Sequence, residues 1–457
     1  MKRVFGTIEY LVIAAVAGFA LIVGVYALPK ARMVNNINHS YELLKHEGNY
    51  RYWAADLPGT QSDNFSDSLM EDIAINPGTG NILYDAMINC YVGWQDTAES
   101  GEWLLRVAGG QPFYEGYEQV VYGRYWHGYL LWMKPLLLMF SVPEMRLINM
   151  GVQLILLVWA MILLHRELGL RGCVVMGAGL LALNPISVAM TFHFSDIYCN
   201  VLISTIVMCT FRRWFTQNDD WWKVFLWIGI GTAYFDLMTY PLVSLGFPLV
   251  LYFMLRQHSF LKSVLRLVEY SFNWVVGYAG MWVLKWLIGS AFTGYDLVSD
   301  GLGAVGLRSS GEVANIDMSY GHVLSENAGA MFTKPVIACL VLIAVASVIG
   351  VIVGKCEFHV RRTSIAPLFL TALYPFIWYF VIRNHSIVHV WFAHRVLAIS
   401  VAAFAALVSC FVRRREGASS IHVRKTETSS HPDNDKGALR VVEPEVMAPL
   451  DAEVVER

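Results

Sequence analysis

A chain of 457 residues that is 56% hydrophobic and only 15% charged, with a mean hydropathy of +0.47, is too poor in charge for a water-soluble globule. Its net charge of −2 offers no basic field, which excludes nucleic acid as a partner. The seven cysteines form no CxxC pair and no Cys/His ligand spacing, so neither a disulfide framework nor a structural zinc site is expected.

A bilayer core takes about 20 apolar residues per helix, because no water is there to satisfy a bare backbone. Apolar runs at this scale predict an all-α, polytopic membrane protein with about ten transmembrane helices, near 9–28, 145–164, 172–189, 196–211, 221–237, 240–255, 268–289, 335–354, 364–382 and 391–412. The first run follows MKR like a signal peptide. Tyr10 to Leu28 is nevertheless too long for an h-region, and Pro29-Lys30 is a poor cleavage site. The 15 Trp, 22 Tyr and 24 Phe suit anchoring at two interfaces.

Lys and Arg fix the orientation. With the N-terminus inside, inner segments hold Lys2 and Arg3, Arg166 and Arg171, Arg212, Arg213 and Lys223, Arg256, Lys262 and Arg266, Lys355, Arg361 and Arg362, and Arg413 to Arg415, while the short outer turns 190–195 and 238–240 hold none. The positive-inside rule then puts both termini in the cytoplasm of a multi-pass plasma-membrane protein. Residues 1–415 form the transmembrane domain, with long outer loops at 29–144 and 290–334. The polar segment 416–457 reads as a disordered cytoplasmic tail. No internal repeat is visible, which counts against inverted-repeat transporters.

In the first outer loop, TQSDNFSDSLMEDIAI predicts a helix capped by Ser62 or Asp63, with Phe65, Leu69, Met70 and Ile73 at helical spacing. Asp63, Asp67 and Glu71 then share one face, where like charges repel mildly unless water, a cation or a base compensates. A cap plus solvated acids is the plain alternative to a functional carboxylate. Further on, VVYGRYWHGYLLWMKPLLLMF has too few apolar residues to cross, so 125–142 is expected to lie as an amphipathic helix in the outer interface. Arg124, His127 and Lys134 would face the headgroups, as anchors or as ligands.

Ionisable groups at membrane depth are expensive and mark pathways or sites. His193 and Asp196 fall at the turn between the third and fourth spans, Asp236 between the fifth and sixth, and Lys285 near the outer end of the seventh. In IRNHSIVHVWFAHR, thirteen residues carry Arg383, His385, His389, His394 and Arg395 at one outer turn. A divalent metal on His385 and His389, four apart, is not favoured: no carboxylate follows at ligand spacing and two arginines repel cations. An anion suits the cluster better, since arginine presents a fixed fork matched to phosphate.

Carboxylates on one outer loop and cations on the last outer turn suit displacement at a sugar carbon joined to a lipid phosphate. The phosphate leaves readily if cations hold its charge, and the attacking hydroxyl needs one base. In layout, residues 1–412 resemble the GT-C superfamily of membrane glycosyltransferases. The resemblance rests on an acid in a long loop after the first span (Asp63 in TQSDNF), an interfacial helix GRYWHGYLLWMKPLL leading to a span opening with Arg146 (PEMRLIN), an outer acid Asp196, and the basic turn NHSIVHVWFAHR before the final span. It implies an active site on the outer face and sugar transfer from a polyprenyl-phosphate carrier, inverting, to a glycan, glycolipid or protein. It implies Asp63 as the base, and Arg124, His127, Lys134, Arg383 and Arg395 as phosphate or sugar ligands, with Asp196, His385, His389 and His394 beside them. The acid is not part of an Asp-Glu pair, so Asp67, Glu71 and Asp72 are alternative bases. Membrane lipids are the other expected partners, and no cofactor is firmly implied. A multi-span transporter or lipid-carrier flippase is the rival class.

Overall fold

The computed structural model describes residues 2–55, 57–92, 119–310, 316–358, 360 and 362–414. The expected tail 416–457, part of the first loop (93–118) and residues 311–315 of the second lie outside the described residues.

The described chain is mostly helical. Seven segments are long and apolar enough to cross a membrane: Arg3–Tyr26, Val142–Leu168, Phe192–Thr210, Phe260–Thr293, Lys334–Ile352, Arg362–Val381 and Val390–Cys410. The elements used below are α1 (Lys2–Tyr26), α2 (Asn64–Ile75), α3 (Ile82–Ile88), α4 (Leu130–Leu137), α5 (Val142–Leu168), α6 (Leu170–Ala182), α7 (Phe192–Thr210), α8 (Trp221–Phe235), α9 (Val243–Leu255), α10 (Phe260–Thr293), α11 (Leu297–Ser309), α12 (Tyr320–Met331), α13 (Lys334–Ile352), α14 (Arg362–Ala372), α15 (Tyr374–Val381), α16 (Arg383–Val388) and α17 (Ala398–Cys410). At three of the ten expected spans the helix is short: α6 and α9 have 13 residues and α8 has 15. At 1.5 Å per residue each covers only about 20 Å. α6 stops early because Asn184 turns left-handed (φ 60) ahead of Pro185.

Local chemistry explains the helix ends. Ser141 and Glu144 form a capping box at the start of α5, Pro143 occupies its first turn, and Gly169 at φ 66 ends it. The core lies among α6, α7, α8, α9 and α17. α8 and α10 cross almost backbone to backbone: a Cβ on Gly229 would stand 2.2 Å from the Trp274 carbonyl, and one on Gly277 2.3 Å from that of Leu226. α13 buries none of its residues.

Two expectations are corrected. The segment 125–142 is not one amphipathic helix facing headgroups: only Leu130–Leu137 is helical, and His127 and Lys134 are buried. The Lys134 ammonium donates to the Ala74 carbonyl (2.7 Å) and sits over the Tyr26 ring (4.7 Å), capping the open end of α2. Lys30 donates to the Asn76 and Pro77 carbonyls, and Lys285 to the Met87 carbonyl and the Asn89 amide oxygen, both at 3.0 Å. Lys30 and Lys134 thus tie the first loop to itself through carbonyls at the end of α2, and Lys285 ties the loop to α10. The second correction concerns the acidic face of α2, which is not solvated: Asp63, Asp67, Glu71 and Asp72 are all buried.

Candidate functional site

The four acids of α2 have separate environments. Asp63 is the N-cap. Its Oδ1 accepts the Ser66 amide at 2.9 Å, and its Oδ2 accepts the Ser66 hydroxyl and the Trp391 indole N–H, each at 2.8 Å. Asp67 reaches across to α7 and accepts the amides of Phe192 (2.8 Å) and His193 (3.0 Å), so a loop carboxylate caps the positive end of a transmembrane helix. The His193 ring lies between the two carboxylates, with Nε2 3.7 Å from Asp63 and Nδ1 3.7 Å from Asp67.

Glu71 is fully buried, and among the described residues neither of its oxygens has a hydrogen-bond partner. Burial, reinforced by the charge of Asp67, pushes its carboxyl up to about 8, although Arg146 pulls the other way. Asp72 accepts the Val92 amide at 2.6 Å, yet burial still carries it to about 8. Both are therefore protonated at neutral pH. Arg146, at the head of α5, is committed to Glu47 (2.7 Å) and the Asn64 side chain (2.8 Å).

The turn 383–395 packs onto this acid face through Trp391. His389 stacks on Phe392 (5.1 Å between centroids) and stands 4.9 Å from the His385 ring. Burial lowers His389 to about 4, with help from the charge of Arg308, and drives His385 well below its usual value. Both rings are neutral at pH 7. The side chain of His385 bonds the Met238 carbonyl at 2.8 Å, where Met238 holds a left-handed φ of 68. Asp236, beside it, accepts the Thr239 amide at 3.1 Å and the Thr239 hydroxyl.

The expected phosphate ligands divide unevenly. Arg395 is completely buried. It donates to the carbonyls of Leu183 (3.2 Å), Trp391 (2.6 Å) and Gly59 (3.1 Å) and to the Ser187 hydroxyl (2.7 Å), and it lies over Phe194 at 4.1 Å. His394 bonds the Val390 carbonyl, one turn back. His127 is held between the Tyr122 carbonyl (2.9 Å) and the Tyr129 hydroxyl (3.1 Å), and burial lowers it to about 3. Arg124 pairs with Asp300 at 3.4 Å over the Tyr122 ring. Arg383 is half-buried beside Phe380. The structure therefore brings Asp63, Asp67, His385, His389 and Arg395 to one place and leaves Arg124, His127 and Lys134 in other contacts. Trp391 and Arg308 join the cluster without having stood out in the sequence. Nothing in the periodicity or spacing of either segment marks them.

Asp196 opens the other part of the site. Half-buried, with only the Trp132 indole as a hydrogen-bond donor (3.4 Å), it stands at one end of a cavity of about 760 Å³ between α1, α4, α5, α7 and α8. The walls are mostly apolar and include Val152, Ile203, Trp214 and Trp227, all of them exposed residues of membrane-length or neighbouring helices. The cavity therefore opens laterally. Between Lys223 and Phe235 it follows α8 for about 18 Å.

Compared with known protein families, with curated proteins and with solved structures, the chain matches none.

Proposed function

We propose that the chain is a membrane glycosyltransferase of the GT-C kind, moving a sugar from a polyprenyl-phosphate carrier to an extracytoplasmic glycan, glycolipid or protein. The observation that carries this reading is the contact of Asp63, from the first loop, with Trp391 of the last basic turn, 328 residues away, near one end of a laterally open apolar cavity. A carboxylate, the last basic turn and an apolar cavity come together at one end of the bundle. In this reading the bundle spans the plasma membrane ten times with both termini cytoplasmic, and that end faces outward.

The acceptor hydroxyl gives its proton to Asp63 as its oxygen bonds to the anomeric carbon. The bond from that carbon to the phosphate oxygen breaks on the opposite face, and its electron pair leaves with the phosphate. One displacement inverts the centre. Trp391, with Tyr50 packed on it at 5.3 Å, covers Asp63 and must swing aside for the acceptor.

A second reading, a lipid-carrier flippase, draws on one observation: Asp196, Asn200 and Ser204 form a polar stripe at four-residue spacing along the cavity wall. Purified protein incubated with polyprenyl-phosphate sugars and candidate acceptors separates the two. A transferase releases free carrier, whereas a flippase moves labelled carrier across vesicles and leaves the sugar attached. In the transferase, Asp63→Asn slows transfer by about 10²- to 10⁴-fold and preserves carrier binding. Normal turnover by that variant would remove Asp63 from the role.

A further inference from the structure

The cations expected to hold the donor phosphate are largely occupied: Arg395 by carbonyls, Lys134 by the end of α2, Arg124 by Asp300. Arg308, at the end of α11 in the second long loop, differs. It is half-buried, its one hydrogen bond is to the Tyr125 hydroxyl (2.9 Å), and among the described residues no carboxylate comes within 4 Å of it.

Buried donors without acceptors surround it. The indole N–H groups of Trp282 and Trp378, the Tyr278 hydroxyl and the Arg383 Nε have no hydrogen-bond partner among the described residues. Trp282 meets Tyr125 edge-on at 5.6 Å and Tyr278 at 5.2 Å, and Trp378 packs with Tyr125 and Trp282 around Met238 and Ile382. α11 packs on α16, which starts with Arg383. Indole and guanidinium nitrogens only donate, so the group that would satisfy this wall is an acceptor, and beside Arg308 an anion. The charge of Arg308 also acts on His385 and His389, and that of Asp63 on His389, so the cation and the carboxylate both neighbour the His389 ring.

We propose that Arg308, with the indoles of Trp282 and Trp378, forms a phosphate-binding wall, and that the basic turn frames it. The ligand is a phosphate monoester or diester; its assignment to a lipid carrier rests on the glycosyl-transfer reading above. The space among Arg124, Tyr125, Trp282 and Arg308 is now about 10 Å³, enough for one water. Phosphate entry therefore requires α11 to shift. Its composition suits that, with Gly301, Gly303 and Gly306 inside thirteen residues, each costing about 1 kcal/mol of helix propensity.

The test is equilibrium binding of radiolabelled farnesyl phosphate to the full-length protein in detergent, with inorganic phosphate as competitor. Arg308→Gln is expected to weaken farnesyl phosphate binding about ten- to hundredfold, the loss of one charge-assisted contact. Arg308→Lys should recover part of it, and both variants should melt with the wild type. Inorganic phosphate should compete only at far higher concentration. Unchanged affinity in Arg308→Gln overturns the proposal. Competition by inorganic phosphate at equal concentration overturns the lipid source. Arg308-dependent binding without sugar transfer from any carrier leaves this site standing and sinks the transferase reading instead.

Discussion

Glu71 gives the sharpest test of the buried acid face, because the answer does not depend on any activity. Its carboxyl has no hydrogen-bond partner among the described residues and titrates near 8 in the folded chain, against an ordinary value of 4.5. Below 4.5 both folded and unfolded chains hold the proton, and this group imposes no penalty. Between 4.5 and 8 the unfolded chain releases it while the folded chain retains it, so stability falls as pH rises. At pH 7 the deficit is about 3 kcal/mol, and it levels off near 5 kcal/mol above pH 8. Glu71→Gln keeps the shape and cannot ionise. A buried amide without a partner also destabilises, but equally at every pH, so the slope is the quantity to read. Melting of the detergent-solubilised protein between pH 5 and 8.5 should show wild type and variant closest in acid for the titrating part and diverging upward, the variant losing less. Parallel melting curves would refute the reasoning. They would mean that Glu71 is ionised in the fold, held by Arg146, and that its burial is compensated.

Arg395→Ala should abolish the folded protein rather than weaken a donor, because it removes four hydrogen bonds at once and empties a fully buried side-chain volume; the measurement is detergent-stable yield, and a well-folded variant would contradict its structural role. Arg146→Met leaves buried Glu47 with the Asn64 amide (3.1 Å) and the more distant Arg51 (3.9 Å) and should cost up to about 3–5 kcal/mol, with Glu47→Gln in the same background recovering part of it in melting experiments. Lys134→Met should loosen the end of α2 by about 1–3 kcal/mol and leave any donor affinity unchanged, as carrier binding would show. His389, lowered to about 4, contributes stability that is complete above about 6.5 and is lost as pH falls through 4; His389→Gln should flatten the acid limb of the melting profile.

Much of the helical layout was legible because it depends on local chemistry. Asp63 caps α2 as SDNF suggests, and each of the ten apolar runs contains helix. The failures have a common cause, which is that partners distant in sequence decide what a polar residue does. A lysine in an apolar run normally snorkels to water, but Lys134 finds the Ala74 carbonyl 60 residues upstream. Three acids four apart read as a wet face, until α7 closes over them and Asp67 becomes the cap of a helix 125 residues later. The shortness of α6 was signalled by Asn184-Pro185, a break that a hydropathy window averages away. For Arg308 no sequence signal existed: what distinguishes it is an unfilled ring of donors contributed by α10 and α15.

The acid face and the Arg308 wall differ in how firmly they are held, and that difference bears on how a ligand could be gripped. On the acid side three links join the first loop to membrane segments, Asp67 to the start of α7, Lys285 to the end of α3 and Arg395 to Gly59, and Lys134 holds the end of α2 within the loop. Moving Asp63 by an ångström means breaking several buried, charge-assisted bonds together, so its position is set before any ligand arrives. On the Arg308 side α11 contains three internal glycines and leaves Leu302, Val305 and Leu307 exposed. A site made of one rigid and one yielding wall gains specificity from the first and admits its ligand through the second. The rigid wall carries the carboxylate, and the yielding wall carries a cation with no carboxylate within 4 Å among the described residues. On the glycosyl-transfer reading proposed above, α11 would yield to admit an anion and close again over it, beside a carboxylate that has not moved.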